Sequence, residues 1–271
     1  MNNKKLRLGL IGKDVSKSTS GQIHKFILAE WGVECEYEKF SVDENSFDMA
    51  MRRLLGDFDG FNVTIPYKRD VFEYLDEIVG DALDCGAVNT VLTQTRQGYS
   101  TDGVGFSLML TAAGIETNGK RVLVLGAGGS GRSVAVALKN TGAKVFMYRR
   151  NRAELEEVCE QLRVSAVDDP EQGAFDIIVN CTGVGMHDKV GLSPVSEKAF
   201  LGASVAVDLI YVPKESEFLR LAKGQSLQTL NGAAMLFYQA YYADCLYIDR
   251  TANVDEAKRL YEKYTRVYGE K

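Results

Sequence analysis

Four groups of polar side chains and one run of glycines are the residues in this sequence whose types and spacing could do chemistry. Ser16, Ser18 and Ser20 follow a short apolar run, Asn62, Thr64 and Lys68 flank Pro66, Asn89 and Thr90 close an apolar stretch, and Thr101 and Asp102 precede another. Strand ends and helix starts on one side of an α/β sheet are where small ligands bind, so these groups are expected to converge on one small-molecule site. Lys68 and Asp102 are the pair able to move a proton. An amine and a carboxylate brought to a common site can exchange a proton with a bound ligand. Desolvation disfavours an ammonium whereas a carboxylate neighbour favours it, so burial and Asp102 act on the lysine in opposite directions. Taken singly, a surface helix-start lysine and an N-capping aspartate would explain the two residues better than catalysis does.

The glycines read Gly126-Ala127-Gly128-Gly129-Ser130-Gly131, a GxGxxG run that follows the apolar Val122–Leu125 and opens a helix. In that setting the first glycine makes the tight turn, the second lets the backbone approach a pyrophosphate, and the third lets helix and strand pack closely, with the helix N-terminus favouring phosphate. An acidic residue at the end of the next strand would select NAD through the ribose hydroxyl. None is there. Arg149, Arg150 and Arg152 stand in its place and suit a 2′-phosphate, which favours NADP. The GxxxxGK spelled by Gly114–Lys120 precedes its strand and is followed by Arg121 instead of Ser or Thr, so no phosphate-binding loop of the NTPase type is read there.

The elements that must position these residues follow from apolar runs and turn signals. Residues 6–11 read as a buried strand, 23–30 as a helix, 36–42 as a strand, 47–55 as a helix and 60–65 as a strand, with a helix start at Pro66. A strand over 87–93 and a helix over 105–113 follow. From Lys120 the alternation restarts with strands at 121–125, 145–148, 175–180 and 204–210 and helices at 132–140 and 152–162, the pattern of a doubly wound parallel sheet. From Ala233 the chain is helical and aromatic-rich, and Phe237, Tyr241 and Tyr242 recur at helical spacing as core residues. The expected fold class is α/β with two domains, an N-terminal α/β substrate domain with a parallel-rich sheet and a Rossmann-type doubly wound domain. The expected boundaries are 1–103 plus 233–271 for the first and 104–232 for the second.

Composition narrows the partners. The 271 residues are 45% hydrophobic and 25% charged, ample for a core, and 32 basic against 37 acidic residues give a net charge of −5. Nucleic acid is therefore not an expected partner. The five cysteines are scattered without a CxxC pair and there are only two histidines, so neither a disulfide framework nor a metal site is expected. Lys13 and Asp14 interrupt the first apolar run before it could form a signal or membrane segment, so the chain is read as cytoplasmic with no membrane partner. His24 is read as a helix-packing residue or one that supports a site residue from behind, and His187 as a loop residue, with no partner arrangement for triad chemistry.

The polar groups, in this order and followed by the glycine loop, resemble the shikimate dehydrogenase family over nearly the whole chain. Phe61-Asn62-Val63-Thr64-Ile65-Pro66-Tyr67-Lys68 is similar to its NVTxPxK segment, Gly86-Ala87-Val88-Asn89-Thr90 to GAVNT, and Thr101-Asp102-Gly103-Val104-Gly105-Phe106 to NTDGxGF. Asn180-Cys181-Thr182, Asp208-Leu209-Ile210-Tyr211 with Pro213, and Gly232-Ala233-Ala234-Met235-Leu236 with Gln239 fall where the family has its later motifs, and Arg149-Arg150-Asn151 occupies the place of its NRT. The resemblance implies an NADP-dependent oxidoreductase interconverting shikimate and 3-dehydroshikimate in aromatic amino-acid biosynthesis, as a monomer or homodimer. By similarity, Ser18 and Ser20 would bind the substrate carboxylate with Tyr211 nearby, and Asn62, Thr64, Asn89 and Gln239 would hold ring hydroxyls. Lys68 and Asp102 would be catalytic. Gly126 to Gly131, Arg149, Arg150, Thr182, Gly232 and Met235 would bind the cofactor.

The sequence departs from the family in the serine loop, where Gly12-Lys13-Asp14 and Lys17-Ser18-Thr19-Ser20-Gly21 lack both expected prolines and Lys25 replaces an asparagine. Without proline to fix φ, the loop is expected to be more charged and less rigid. A quinate/shikimate dehydrogenase-like relative with broader substrate use remains an alternative, as does an NADP-binding relative with altered catalysis. A methylenetetrahydrofolate dehydrogenase-like enzyme is disfavoured by the serine loop.

Overall fold

The computed structural model describes residues 5–269, which divide into two compact units, 5–105 with 236–269 and 106–235. Residues 1–4 and 270–271, the two ends of the expected substrate domain, lie outside the described residues.

In the first unit β1 (Leu6–Gly12), α1 (Ser20–Glu30), β2 (Cys35–Ser41), α2 (Glu44–Asp57) and β3 (Gly60–Val63) follow the expected order. β2 and β3 flank β1, both parallel to it. Ile11, Phe61 and Val63 of the strands pack on Phe47, Met51 and Leu54 of α2, so the apolar stripe of that helix covers one face of the sheet. After β3 the chain departs from expectation. No helix starts at Pro66. The Ile65–Pro66 peptide is cis and the chain turns, with Tyr67 N–H bonded to the Thr64 carbonyl and Val88 N–H to the Lys68 carbonyl, before a short 3-10 turn over Asp70–Tyr74. Tyr67 is buried and its hydroxyl donates to the Val42 carbonyl, a tertiary anchor that outweighs the helix-start preference of proline.

β4 (Glu77–Ile78), α3 (Asp81–Cys85), β5 (Thr90–Leu92) and β6 (Gln97–Tyr99) complete a sheet of order β2-β1-β3-β5-β6-β4. The strand expected over 87–93 is shorter because the backbone of Val88 bonds outside the ladder, to Lys68, and β5 pairs antiparallel with both β3 and β6. α4 (Asp102–Ala112) then leads out of the unit, with Asp102 as its first residue.

In the second unit β7 (Arg121–Leu125), α5 (Gly129–Asn140), β8 (Lys144–Tyr148), α6 (Arg152–Leu162), β9 (Ser165–Ala166), β10 (Ile177–Asn180), β11 (Val205–Asp208), α7 (Glu217–Gly224) and β12 (Gln228–Leu230) alternate. All strand pairs are parallel and the order is β12-β11-β10-β7-β8-β9, the doubly wound arrangement whose switch point lies between β7 and β10. β10 and β11 are buried along their whole lengths and β7 from Val122 onward, as a sheet covered on both faces requires. The chain ends in α8 (Ala233–Tyr247) and α9 (Val254–Tyr268), where Phe237 and Tyr264 meet Phe26 of α1. Phe237 and Tyr241 are fully buried, as their spacing predicts, while Tyr242 is half-buried.

Candidate active site

Each unit gathers its expected polar residues at strand ends. In the first, Lys68 Nζ donates to Asp102 Oδ2 at 2.5 Å, and both side chains are about one-tenth exposed. The turn after β3 delivers the lysine and the start of α4 delivers the aspartate. Asn89 Nδ2 donates to Asp102 Oδ1 at 2.7 Å, so the carboxylate is fixed by donors on both oxygens. Asn89 Oδ1 accepts from the Thr101 backbone N–H at 2.8 Å, which sets the orientation of the amide. The Asn89 amide also reaches Gln239 Oε1 on α8 at 3.3 Å, and Gln239 Nε2 is anchored on the Leu236 carbonyl. Asn62 Nδ2 points at the Asn89 carbonyl and Thr90 Oγ1, at 3.2 and 3.3 Å. One hydrogen-bonded network therefore joins Asn62, Asn89, Thr90, Thr101, Asp102, Gln239 and Lys68, all of them buried. A buried ammonium, a carboxylate and amides with spare hydrogen-bonding capacity can orient a hydroxyl and share its proton.

Ser18 and Ser20 stand at the start of α1, where Ser18 Oγ accepts from the Ser20 N–H at 3.2 Å and lies 3.1 Å from Ser20 Oγ. Thr64 is half-buried beside Gly12, its Cγ2 within 2.5 Å of where a Cβ on that glycine would sit. The loop expected to be loosened by its missing prolines is tied down. Asp14 Oδ1 accepts from the backbone and hydroxyl of Ser16, Ser41 Oγ accepts from the Val15 N–H, and Lys39 Nζ donates to the Ser16 and Ser18 carbonyls.

Tyr37 and the partner of His24 escaped the sequence reading. Tyr37 of β2 donates its phenol to Asn62 Oδ1 at 3.0 Å, which orients that amide. His24 is buried as a packing and supporting residue, its ring stacked on Tyr37 at 4.9 Å, and it has a partner the sequence reading did not find: its Nδ1 lies 2.6 Å from Asp244 Oδ1 with both side chains fully buried. Burial pushes the Asp244 carboxyl up to about 6 against the opposing pull of His24. A separation of 220 residues hid the pair from sequence spacing. No nucleophile completes a triad: His24 Nε2 and Asp244 Oδ2 are buried without a hydrogen-bond partner among the described residues. His187 lies in an exposed turn, as expected.

In the second unit the glycine run bridges β7 and α5. Gly126 has φ +102°, and its N–H bonds the Tyr148 carbonyl at 2.8 Å. A Cβ on Gly131 would meet the Gly126 carbonyl oxygen at 2.2 Å, whereas one on Gly128 would meet nothing within 4 Å. The first and third glycines thus serve the turn and the close packing, and the second opens onto free space. α5 begins without a side-chain cap and without an acidic residue in its first turn, which leaves its N–H groups for an anion. Ala127 is buried, and Gly129 and Ser130 form the first turn of α5.

Across the switch point, Asn180 Oδ1 holds both the N–H and the hydroxyl of Thr182. Asn180 Nδ2 in turn donates to the buried Asp208, which also accepts from the Ile210 N–H and, at 2.5 Å, from Ser216 Oγ. Burial raises the Asp208 carboxyl to about 6, even though these three donors favour the ionised form. Asp208 thereby knots the loop carrying Thr182 to the loop carrying Tyr211, whose phenol burial also pushes upward. Gly232 is placed where a Cβ would strike the Leu209 carbonyl oxygen, and Met235 is buried.

The arginines are not equivalent. Arg149 pairs with Glu154, and Arg152 with Glu156 and Asp168, so Arg152 serves its own helix. Arg150 is exposed with no ion-pair partner among the described residues. An open glycine, an uncapped helix start and a free guanidinium at the end of β8 fit a phosphorylated dinucleotide.

The family model described as the shikimate dehydrogenase substrate binding domain matches residues 10–91. The shikimate dehydrogenase (NADP(+)) of Caldanaerobacter subterraneus subsp. tengcongensis is 35% identical over 269 residues, covering 94% of this chain and 95% of that protein. Among solved structures, shikimate dehydrogenase 1 from Peptoclostridium difficile superposes with a TM-score of 0.87 at 30% identity, over 96% of this chain and 97% of that one. The Thermus thermophilus shikimate 5-dehydrogenase in complex with NADP(H) and shikimate gives a TM-score of 0.87 at 32% identity, over 95% and 99%. Similarity of this extent, spanning both units and every polar cluster described above, establishes that the chain belongs to the shikimate dehydrogenase family.

Proposed function

We propose that the protein catalyses the reversible, NADP-dependent oxidation of the ring 3-hydroxyl of shikimate to 3-dehydroshikimate. The observation that carries this reading is the buried Lys68–Asp102 pair, 2.5 Å apart inside a network of hydroxyls and amides. Bound NADP+ supplies the hydride acceptor. The chain supplies the rest. Asp102, immobilised by Lys68 and Asn89, holds Lys68 Nζ in place for the substrate hydroxyl. With Lys68 as the neutral amine, Nζ accepts the hydroxyl proton as the alcohol is oxidised, and the resulting ammonium, held by Asp102, returns it in the reverse direction. Asn62, Thr64, Asn89 and Gln239 fix the ring hydroxyls, and Ser18 and Ser20, with Tyr211, take the carboxylate. The glycine turn and α5 take the pyrophosphate with Thr182, Gly232 and Met235 beside it, and Arg150 takes the 2′-phosphate, assisted by Arg149 once it exchanges Glu154. The reading makes the protein a cytoplasmic enzyme acting as a monomer or homodimer.

An absorbance assay for NADPH formation with shikimate, run beside quinate and with NAD+ in parallel, tests this. Turnover of shikimate with NADP+ is expected, with a preference over NAD+ that Arg150→Gln lowers at least about tenfold. Equal turnover of quinate would assign the broader quinate/shikimate activity. NADP+ binding without turnover of either acid would refute the proposal.

A further inference from the structure

β2 does more than edge the first sheet. Side chains alternate along a strand, so Tyr37, Lys39 and Ser41 share one face. Each meets the serine loop or its neighbours. Ser41 Oγ takes the Val15 N–H at 3.1 Å, and Lys39 Nζ donates to the Ser16 carbonyl at 2.6 Å and to the Ser18 carbonyl at 3.2 Å. The Tyr37 ring lies where a Cβ on Gly21 would come within 2.8 Å of it, so a side chain at position 21 would displace the ring. Lys39 has no carboxylate partner among the described residues, although Glu38 beside it is paired, with Arg53. Lys39 is exposed, and its ammonium is shared between two carbonyls of the loop that carries Ser18 and Ser20.

We propose that Lys39 is a specificity-determining positioning residue of the substrate-carboxylate subsite: by bridging the Ser16 and Ser18 carbonyls it sets the spacing of the two serine hydroxyls, and it brings a positive charge to an anionic substrate group. The proposal rests on the assignment of Ser18 and Ser20 to the carboxylate. Two backbone carbonyls held by one ammonium fix three consecutive peptide units without a proline, and the ammonium cancels the repulsion that those carbonyl dipoles would present to an anion. Lys39 acts on binding and not on proton transfer, because it bonds no member of the Lys68–Asp102 network.

The test is steady-state kinetics of wild type, Lys39→Met and Lys39→Arg with shikimate and NADP+, together with hydrogen exchange of the Ser16–Ser20 amides. Lys39→Met is expected to raise KM for shikimate about tenfold, the size of one charge-assisted hydrogen bond near a surface, with kcat and KM for NADP+ within about twofold. Lys39→Arg, which can span the same carbonyls, is expected to recover most of the loss. Faster exchange at Ser16–Ser20 should accompany Lys39→Met alone. An unchanged KM for shikimate would overturn the proposal, as would an equal rise in both Michaelis constants, which marks a general structural role. A wild type that fails to oxidise shikimate would instead overturn the functional reading and this proposal with it, so the two failures are told apart by the wild-type assay.

Discussion

Replacing Asp208 by asparagine should make the protein more stable at neutral pH, by an amount that grows as pH rises. Asp208 ends β11, fully buried, and its carboxyl is raised from the ordinary 3.8 to about 6 because desolvation outweighs the donors Ser216, Ile210 and Asn180. A folded-state value above the unfolded one means that the folded protein holds this proton more tightly. The associated stability is fully present below the unfolded value, falls as pH rises from about 4 to about 6, and is gone above that. A displacement of this size is worth about 3 kcal/mol as an upper bound. Asparagine preserves the geometry: Oδ1 still accepts from Ile210 and Asn180, and Nδ2 donates to Ser216 Oγ as the protonated acid would. Urea denaturation of wild type and Asp208→Asn at pH 4.5, 6 and 7.5, followed by far-ultraviolet circular dichroism, cancels the other carboxylates in the difference. The variant's advantage over wild type is expected to be about 2 kcal/mol larger at pH 7.5 than at pH 4.5, with most of that rise complete by pH 6. A pH-independent difference, or a variant that loses ground as pH rises, would refute the reasoning. Asp208→Ala should behave differently, losing stability at every pH and raising KM for NADP+, since it unties the Thr182 loop.

Lys68→Met and Asp102→Asn should each lower kcat by about a hundredfold to ten-thousandfold with far smaller effects on KM for NADP+, and near-wild-type kcat in either would sink the assignment of that pair. In the glycine run, Gly131→Ala should cost about 3 kcal/mol in thermal or urea unfolding because its Cβ meets backbone. Gly128→Ala should leave stability within about 0.5 kcal/mol and raise KM for NADP+ about tenfold, since its Cβ enters the space assigned to the pyrophosphate. His24→Ala and Asp244→Ala should each cost about 3–5 kcal/mol by orphaning a buried partner, with the double variant His24→Phe/Asp244→Leu recovering much of the loss in the same denaturation curves.

The sequence by itself determined what depends on local spacing. Strand, glycine turn and helix at 121–140, the parallel alternation of the second unit, and the grouping of polar residues at strand ends are all set by residues within a few turns of one another, where apolar periodicity and glycine stereochemistry act directly. Tertiary structure decided what depends on contacts between distant segments. The turn at Pro66 runs against local preference because Tyr67 and Lys68 are anchored to Val42 and Val88. The His24–Asp244 pair joins the first and eighth helices, and no spacing rule links a histidine to an aspartate 220 positions away. Arg149 and Arg152 looked alike in sequence to Arg150 until neighbouring carboxylates claimed them. Lys39, an ordinary strand lysine by composition, became a clamp only because β2 passes beside the serine loop. Hydrogen bonds and ion pairs are short-ranged, so which polar groups they join is fixed only once the chain has brought them within about 3 Å of each other.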